Sequence, residues 1–124
     1  MSVLSRLLGP RTVAVGATEA RDLQRDGAVL LDVREQHEWD SGHVPKARHV
    51  PLGQLYGSID DLPADRTIVV MCRSGNRSGR ATKVLAKAGY DAVNLAGGIQ
   101  AWRAAGLPVV GSRAKGRGAR GRVT

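Results

Sequence analysis

The sequence contains no phenylalanine, and aromatic residues make up only 3% of its 124 positions. A core must therefore be filled by Val, Leu, Ile and Ala, with Trp39, Trp102, Tyr56 and Tyr90 as the few large pieces. Cysteine is nearly absent as well. The single thiol, Cys72, cannot close an internal disulfide, which excludes a disulfide-stapled secreted scaffold. His37, His43 and His49 are the only histidines and their spacing fits no zinc-ligand pattern, so no metal is expected. No apolar run approaches the roughly 20 residues a membrane helix needs, and no membrane partner is expected. The first ten residues lack the apolar stretch of a secretory signal, which leaves cytoplasmic residence as the default expectation.

What is present has the balance of a globular chain, 42% hydrophobic and 24% charged, with room for one domain. The net charge of +8 is unevenly placed. Arg113, Lys115, Arg117, Arg120 and Arg122 lie in the last fourteen residues without a single acid, so residues 1–110 carry only +3. The basic character is largely a property of the tail. The expected division is a short leader at 1–10, one folded domain at 11–110 and a basic disordered tail at 111–124. The tail offers no aromatic ring for base stacking, so nucleic acid is not expected as a partner. A solvated extension is favoured over contact with an acidic partner.

Short apolar runs alternate with helical patterns along the body. Strands are predicted at 11–15, 29–33, 47–50, 67–71 and 92–96. Helices are predicted at 19–26, with Thr18 as N-cap and Gly27 as stop, as a turn at 36–40, and at 55–62, 79–88 and 99–105. Continuous apolar strands separated by helices predict an α/β fold, a parallel sheet covered on both faces. Trp39 and Trp102 are expected to anchor the core.

The strongest local signal follows the most apolar strand. Cys72 is succeeded by Arg73, Ser74, Gly75, Asn76, Arg77 and Ser78, and then by a helical pattern. In an open α/β sheet ligands bind beyond the carboxyl ends of the strands. A loop there delivers unpaired backbone N–H groups and the positive end of a helix dipole, a setting that binds anions. Gly75 permits positive φ, and Asn76 tolerates it. Arg73 and Arg77 add positive charge. The same setting lowers a thiol pKa and favours the nucleophilic thiolate, so Cys72 is read as reactive rather than as an inert core cysteine.

With these residues in view, the chain resembles a single-domain rhodanese, a sulfurtransferase. The resemblance rests on residues 31–35 with Glu38 and Trp39; on Gly42, His43, Val44 and Pro45 with Ala47, Val50 and Pro51; on 72–78; on 95–102; and on 106–109. It departs at Lys46, where a small residue is usual. It implies a single rhodanese-like domain with a five-stranded parallel sheet between helices and Cys72 as the sulfur carrier. Four residues separate Cys72 from Arg77, whereas related phosphatases of this fold place five; the shorter ring of N–H donors disfavours phosphatase or arsenate reductase chemistry.

The expected reaction moves a sulfane sulfur from thiosulfate or a persulfide or polysulfide donor, through a Cys72 persulfide, to cyanide in an assay or to a thiol or protein thiol in a cell. No cofactor is expected. The alternatives are a persulfide carrier serving a protein partner and a non-catalytic interaction domain; an intact Cys72 and loop count against the latter. Asp32 and Arg34 are candidates for supporting the site. Asp32 is read as a member of a structural charge network. For Arg34, such a network, with Asp32 or Glu38, and a contribution to the positive field both stay open. Arg77 has two readings as well, attraction of an anionic donor or pairing with a structural carboxylate. His43 is read as part of a turn, His37 and His49 as surface or packing residues, and Gly97 and Gly98 as a turn into the last helix.

Overall fold

The computed structural model describes residues 13–111. The leader, and the tail beyond Gly111, lie outside the described residues. Five parallel strands form one sheet in the order β1-β5-β4-β2-β3: β1 (Ala14–Val15), β2 (Val29–Asp32), β3 (Arg48–His49), β4 (Ile68–Met71) and β5 (Ala92–Leu95). Between them run α1 (Ala17–Arg25), α2 (Gln36–Asp40), α3 (Leu55–Ser58) and α4 (Asn76–Lys87), and α5 (Gly98–Ala104) follows β5. The α/β architecture expected from the alternating pattern is the one observed.

Side-chain alternation along the central strands divides the core into two layers. Leu30, Val69, Met71, Val93 and Leu95 pack on one face with Ala20 of α1 and Ile99 and Trp102 of α5. Leu31, Ile68, Val70 and Ala92 pack on the other with Leu55 of α3 and Ala81 and Leu85 of α4. The step of two that places Ile68 and Val70 on the α4 face continues to Cys72, which belongs to the same layer. Trp102 is fully buried, and its indole N–H donates to the Pro108 carbonyl at 2.8 Å. With no phenylalanine in the chain, this one indole fills space between α1, α5 and the sheet.

Four local expectations are corrected. Helix α1 starts at Ala17, with Gly16 as N-cap, and Thr18 lies inside its first turn. The Gly16 carbonyl already accepts the Ala20 N–H at 2.9 Å, so the ladder begins before Thr18. The helix predicted at 55–62 is broken into 3-10 turns at Leu52–Gln54 and Ile59–Asp61 around a single α turn. Gly53 and Gly57 weaken helix continuity there, and the Tyr90 hydroxyl donates to the Ile59 carbonyl. Helix α4 begins three residues before Gly79, because Gly75 N-caps it and its carbonyl accepts the Gly79 N–H at 3.0 Å. Trp39 is only partly buried; it stacks between His43 and His49, with ring centroids at 3.7 and 4.7 Å.

Truncation of the core indole is expected to be severe. Trp102→Ala should lower unfolding stability by about 3–5 kcal/mol in a urea titration, and Trp39→Ala by clearly less.

Candidate active site

The site forms where β4 ends and α4 begins. Cys72 leaves the strand with its side chain on the α4 face and only 1% of its surface exposed. The chain then reverses at Gly75, whose φ of +112° is open to glycine and strained for other residues. That reversal turns the Gly75 N–H back onto Cys72 Sγ at 3.1 Å. The Ser78 hydroxyl lies 3.3 Å from the same sulfur. Burial pushes the thiol pKa up. The Ser78 hydroxyl and the N–H groups of Ser78, Gly75 and Ser74 more than offset this, and the net shift is downward. Asn76 takes the first helical position rather than a left-handed turn, so Asn76, Arg77 and Ser78 form the first turn of α4. The positive end of the helix dipole therefore points at the sulfur. Arg73, Ser74 and Asn76 are exposed around it.

A second turn clamps this loop from behind. Ile99 N–H donates to the Cys72 carbonyl at 2.9 Å and Gln100 N–H to the Arg73 carbonyl at 3.2 Å. These contacts need Gly98. A Cβ built there would stand 2.4 Å from the Cys72 carbonyl oxygen and 2.5 Å from the Arg73 carbonyl. Gly98, the first residue of α5, thus serves close backbone approach, and Gly97, its N-cap at φ +78°, turns the chain into the helix.

The charged residues are largely paired with one another. Arg77 forms a two-point bridge to Glu38, Nη1 to Oε1 at 2.6 Å and Nη2 to Oε2 at 2.9 Å. The bridge to Arg77 holds the Glu38 carboxyl at a pKa of about 2 and raises that of Arg77. Glu38 is itself held by the capping box of α2, its Oε1 accepting the Glu35 N–H at 3.0 Å. Of the two readings of Arg77, the carboxylate pair is what the geometry contains; its charge still acts on a Cys72 thiolate. Arg34 is 3% exposed. Its Nε and Nη2 hold Asp32 at 2.8–3.0 Å, while Nη1 and Nη2 reach the carbonyls of Glu38 and Gly42 at 3.1 and 2.8 Å. Asp32 and Arg34 thus form a buried network that fixes the approach to α2. Arg34 is not free to meet a ligand.

His43 exchanges two backbone hydrogen bonds with Val110, each 2.8 Å, and belongs to a bridge rather than to the cysteine. His49 Nε2 lies 2.7 Å from the Arg34 carbonyl oxygen and His37 is exposed. Two contributors were not singled out from the sequence. Glu38 was noted only in the family pattern and as a partner for Arg34, not as the lock on Arg77. Asn94 contacts both ends of the 75–78 turn, with Oδ1 accepting from Ser78 at 2.6 Å and Nδ2 donating to the Gly75 carbonyl at 3.2 Å. An amide inside the otherwise apolar strand 92–95 was the available signal.

Comparison with known proteins identifies the family. A family model described as Rhodanese-like domain matches residues 16–105. The chain is 40% identical over 86 residues to a sulfurtransferase of Allochromatium vinosum, covering 68% of this chain and 80% of that protein. It is 33% identical over 91 residues to thiosulfate sulfurtransferase GlpE of Ectopseudomonas mendocina, covering 73% and 84%. With an uncharacterized protein of Synechocystis the identity is 41% over 88 residues, covering 70% of this chain but only 49% of that protein. Among solved structures, a rhodanese-related protein of Thermoplasma volcanium superposes with a TM-score of 0.76 at 31% identity, covering 80% of this chain and 98% of that one.

The clamp and the bridge make separate predictions. Gly98→Ala should cost about 1–3 kcal/mol in chemical denaturation and slow alkylation of Cys72, because the loop backbone must shift. Gly57→Ala, with nothing within 4 Å of its Cβ, should leave both unchanged or raise stability slightly. The Glu38 carboxyl is depressed from an ordinary 4.5 to about 2, so its contribution is complete above 4.5 and disappears as pH falls through 2. Wild type should exceed Glu38→Gln in stability by on the order of 1–2 kcal/mol at neutral pH, allowing for solvent screening. The two should converge near pH 2 in urea titrations.

Proposed function

On the footing that this chain belongs to the Rhodanese-like domain family, we propose that it is a sulfurtransferase whose Cys72 carries the transferred sulfur as a persulfide. The observation that carries this reading is the environment of the lone thiol. Its sulfur receives a backbone N–H at 3.1 Å and has the Ser78 hydroxyl oxygen 3.3 Å away, at the start of a twelve-residue helix. Such donors stabilise the thiolate that attacks and the anionic sulfur that results.

With thiosulfate as donor, the Cys72 thiolate attacks the outer sulfur. The new Sγ–S bond forms as the S–S bond of thiosulfate breaks, and its electron pair leaves on sulfite. The enzyme is left as an anionic persulfide. In the second step a nucleophile, cyanide in an assay or a thiolate, attacks the terminal sulfur. The Sγ–S bond breaks and its electron pair restores the Cys72 thiolate. Neither half requires a metal or an organic cofactor, and covalent catalysis divides one transfer into two easier ones. The relatives named sulfurtransferase and thiosulfate sulfurtransferase support this chemistry.

One observation favours a second reading, a persulfide carrier served by protein partners. Arg34 and Arg77 are both engaged with carboxylates, and Arg73 is exposed to solvent. A small dianion such as thiosulfate then meets few unpaired cations beside the sulfur, so turnover on it is expected to be modest. A persulfide or polysulfide donor depends less on that charge.

Intact-mass spectrometry separates these readings. After thiosulfate, wild type should gain about one sulfur atom, removed by cyanide, and Cys72→Ser should gain none. A gain with polysulfide alone would favour the carrier. No gain with either donor on folded, reduced protein would refute both.

A further inference from the structure

The Ser78 hydroxyl has one proton and two acceptors. Its oxygen lies 2.6 Å from Asn94 Oδ1 and 3.3 Å from Cys72 Sγ, and the residue is fully buried. The orientation of the Asn94 amide is fixed independently. Its other end meets the Gly75 carbonyl at 3.2 Å, and a carbonyl only accepts, so the NH2 group must face Gly75 and Oδ1 must face Ser78. The hydroxyl is therefore the donor to Asn94, and it cannot donate fully to the sulfur at the same time.

We propose that Asn94 is a positioning residue for Cys72, holding the Ser78 proton while the sulfur is a poor acceptor and releasing it when the sulfur is an anion. This rests on the sulfurtransferase reading of Cys72. A neutral thiol is a weak acceptor, and an amide oxygen outcompetes it. A thiolate makes a charge-assisted hydrogen bond and reverses the preference. In a persulfide the charge moves to the terminal sulfur, and the hydroxyl returns to Asn94 while backbone N–H groups support the outer atom. When the acceptor takes the sulfur, the thiolate re-forms as leaving group and the hydroxyl turns back to it. The motion is rotation about the Ser78 Cβ–Oγ bond; no covalent bond changes and no proton leaves the serine. A buried hydroxyl without an acceptor is costly, so Asn94 removes a penalty that would otherwise fall on the thiol and persulfide states.

The direction is distinctive. A residue that merely held the loop would raise the thiol pKa when removed, because Gly75 N–H would drift from the sulfur. Loss of a competing acceptor lowers it. The charged groups around the thiol are Arg73 and Arg77, Glu35 and Glu38 acting on Arg77 from the start of α2, and the Asp32–Arg34 pair at the end of β2; β5 and the start of α5 contribute none.

The test is the pH dependence of Cys72 alkylation by iodoacetamide in wild type, Asn94→Leu, Asn94→Asp, Ser78→Ala and the two double variants. Asn94→Leu keeps the shape without the acceptor and should move the midpoint down by about 0.5–1 pH unit. Ser78→Ala should move it up. In the Ser78→Ala background, Asn94→Leu should give no downward shift. Asn94→Asp keeps an acceptor and adds charge; its upward shift should be smaller without the Ser78 oxygen. Should Asn94→Leu fail to fold, the Asp pair alone decides. An upward shift in Asn94→Leu, or equal shifts with and without the Ser78 hydroxyl, would overturn the proposal. Alkylation uses no sulfur donor, so this result and the persulfide result fail independently.

Discussion

The site depends on one backbone reversal. At Gly75 the chain takes a positive φ that points an N–H back at Cys72 and, one residue later, starts α4. The same turn therefore supplies a hydrogen bond, a helix dipole and the Ser78 hydroxyl to a single sulfur. The rest of the fold keeps this turn in place. Parallel strands β4 and β5 set the register, the β5-to-α5 turn clamps the carbonyls of Cys72 and Arg73, and Asn94 ties Gly75 to Ser78.

Charge in this region works mainly as scaffolding. Two ion pairs, Asp32–Arg34 and Glu38–Arg77, connect the end of β2, helix α2 and helix α4. A buried guanidinium held by carboxylate and carbonyl oxygens gives the region a defined geometry, since each group would be costly to leave alone. The consequence for chemistry is that the sulfur is supported chiefly by neutral donors at short range. Such donors stabilise a thiolate at short range, with the charge of Arg77 acting on it from within an ion pair.

Much of this was legible in the sequence, because it rests on local patterns. Apolar runs at 29–33, 67–71 and 92–96 announce buried parallel strands, and the step from strand to Cys72 to Gly75 announces the strand-to-helix turn around the thiol. Boundaries were less legible. The start of α4 was displaced because Asn76, Arg77 and Ser78 carry no apolar periodicity, whereas the hydrogen bond from Gly79 to the Gly75 carbonyl sets the true start. Scarcity of other aromatic residues points Trp39 into the core; the two histidines that stack on it come from separate segments, and stacking across a fold leaves no periodic trace. The Glu38–Arg77 bridge spans 39 positions, and Asn94 reaches Ser78 and Gly75 across 16 and 19. Such tertiary partners are invisible to spacing rules.

The central claim is that this turn stabilises the Cys72 thiolate despite burial. Direct titration of the thiol by ultraviolet absorbance, in folded and in denaturant-unfolded wild-type protein, tests it. The folded protein should titrate below the ordinary 9.0, with the unfolded chain returning toward it. A folded-state midpoint at or above 9.0 would mean that burial outweighs the ring of donors, and would contradict the account.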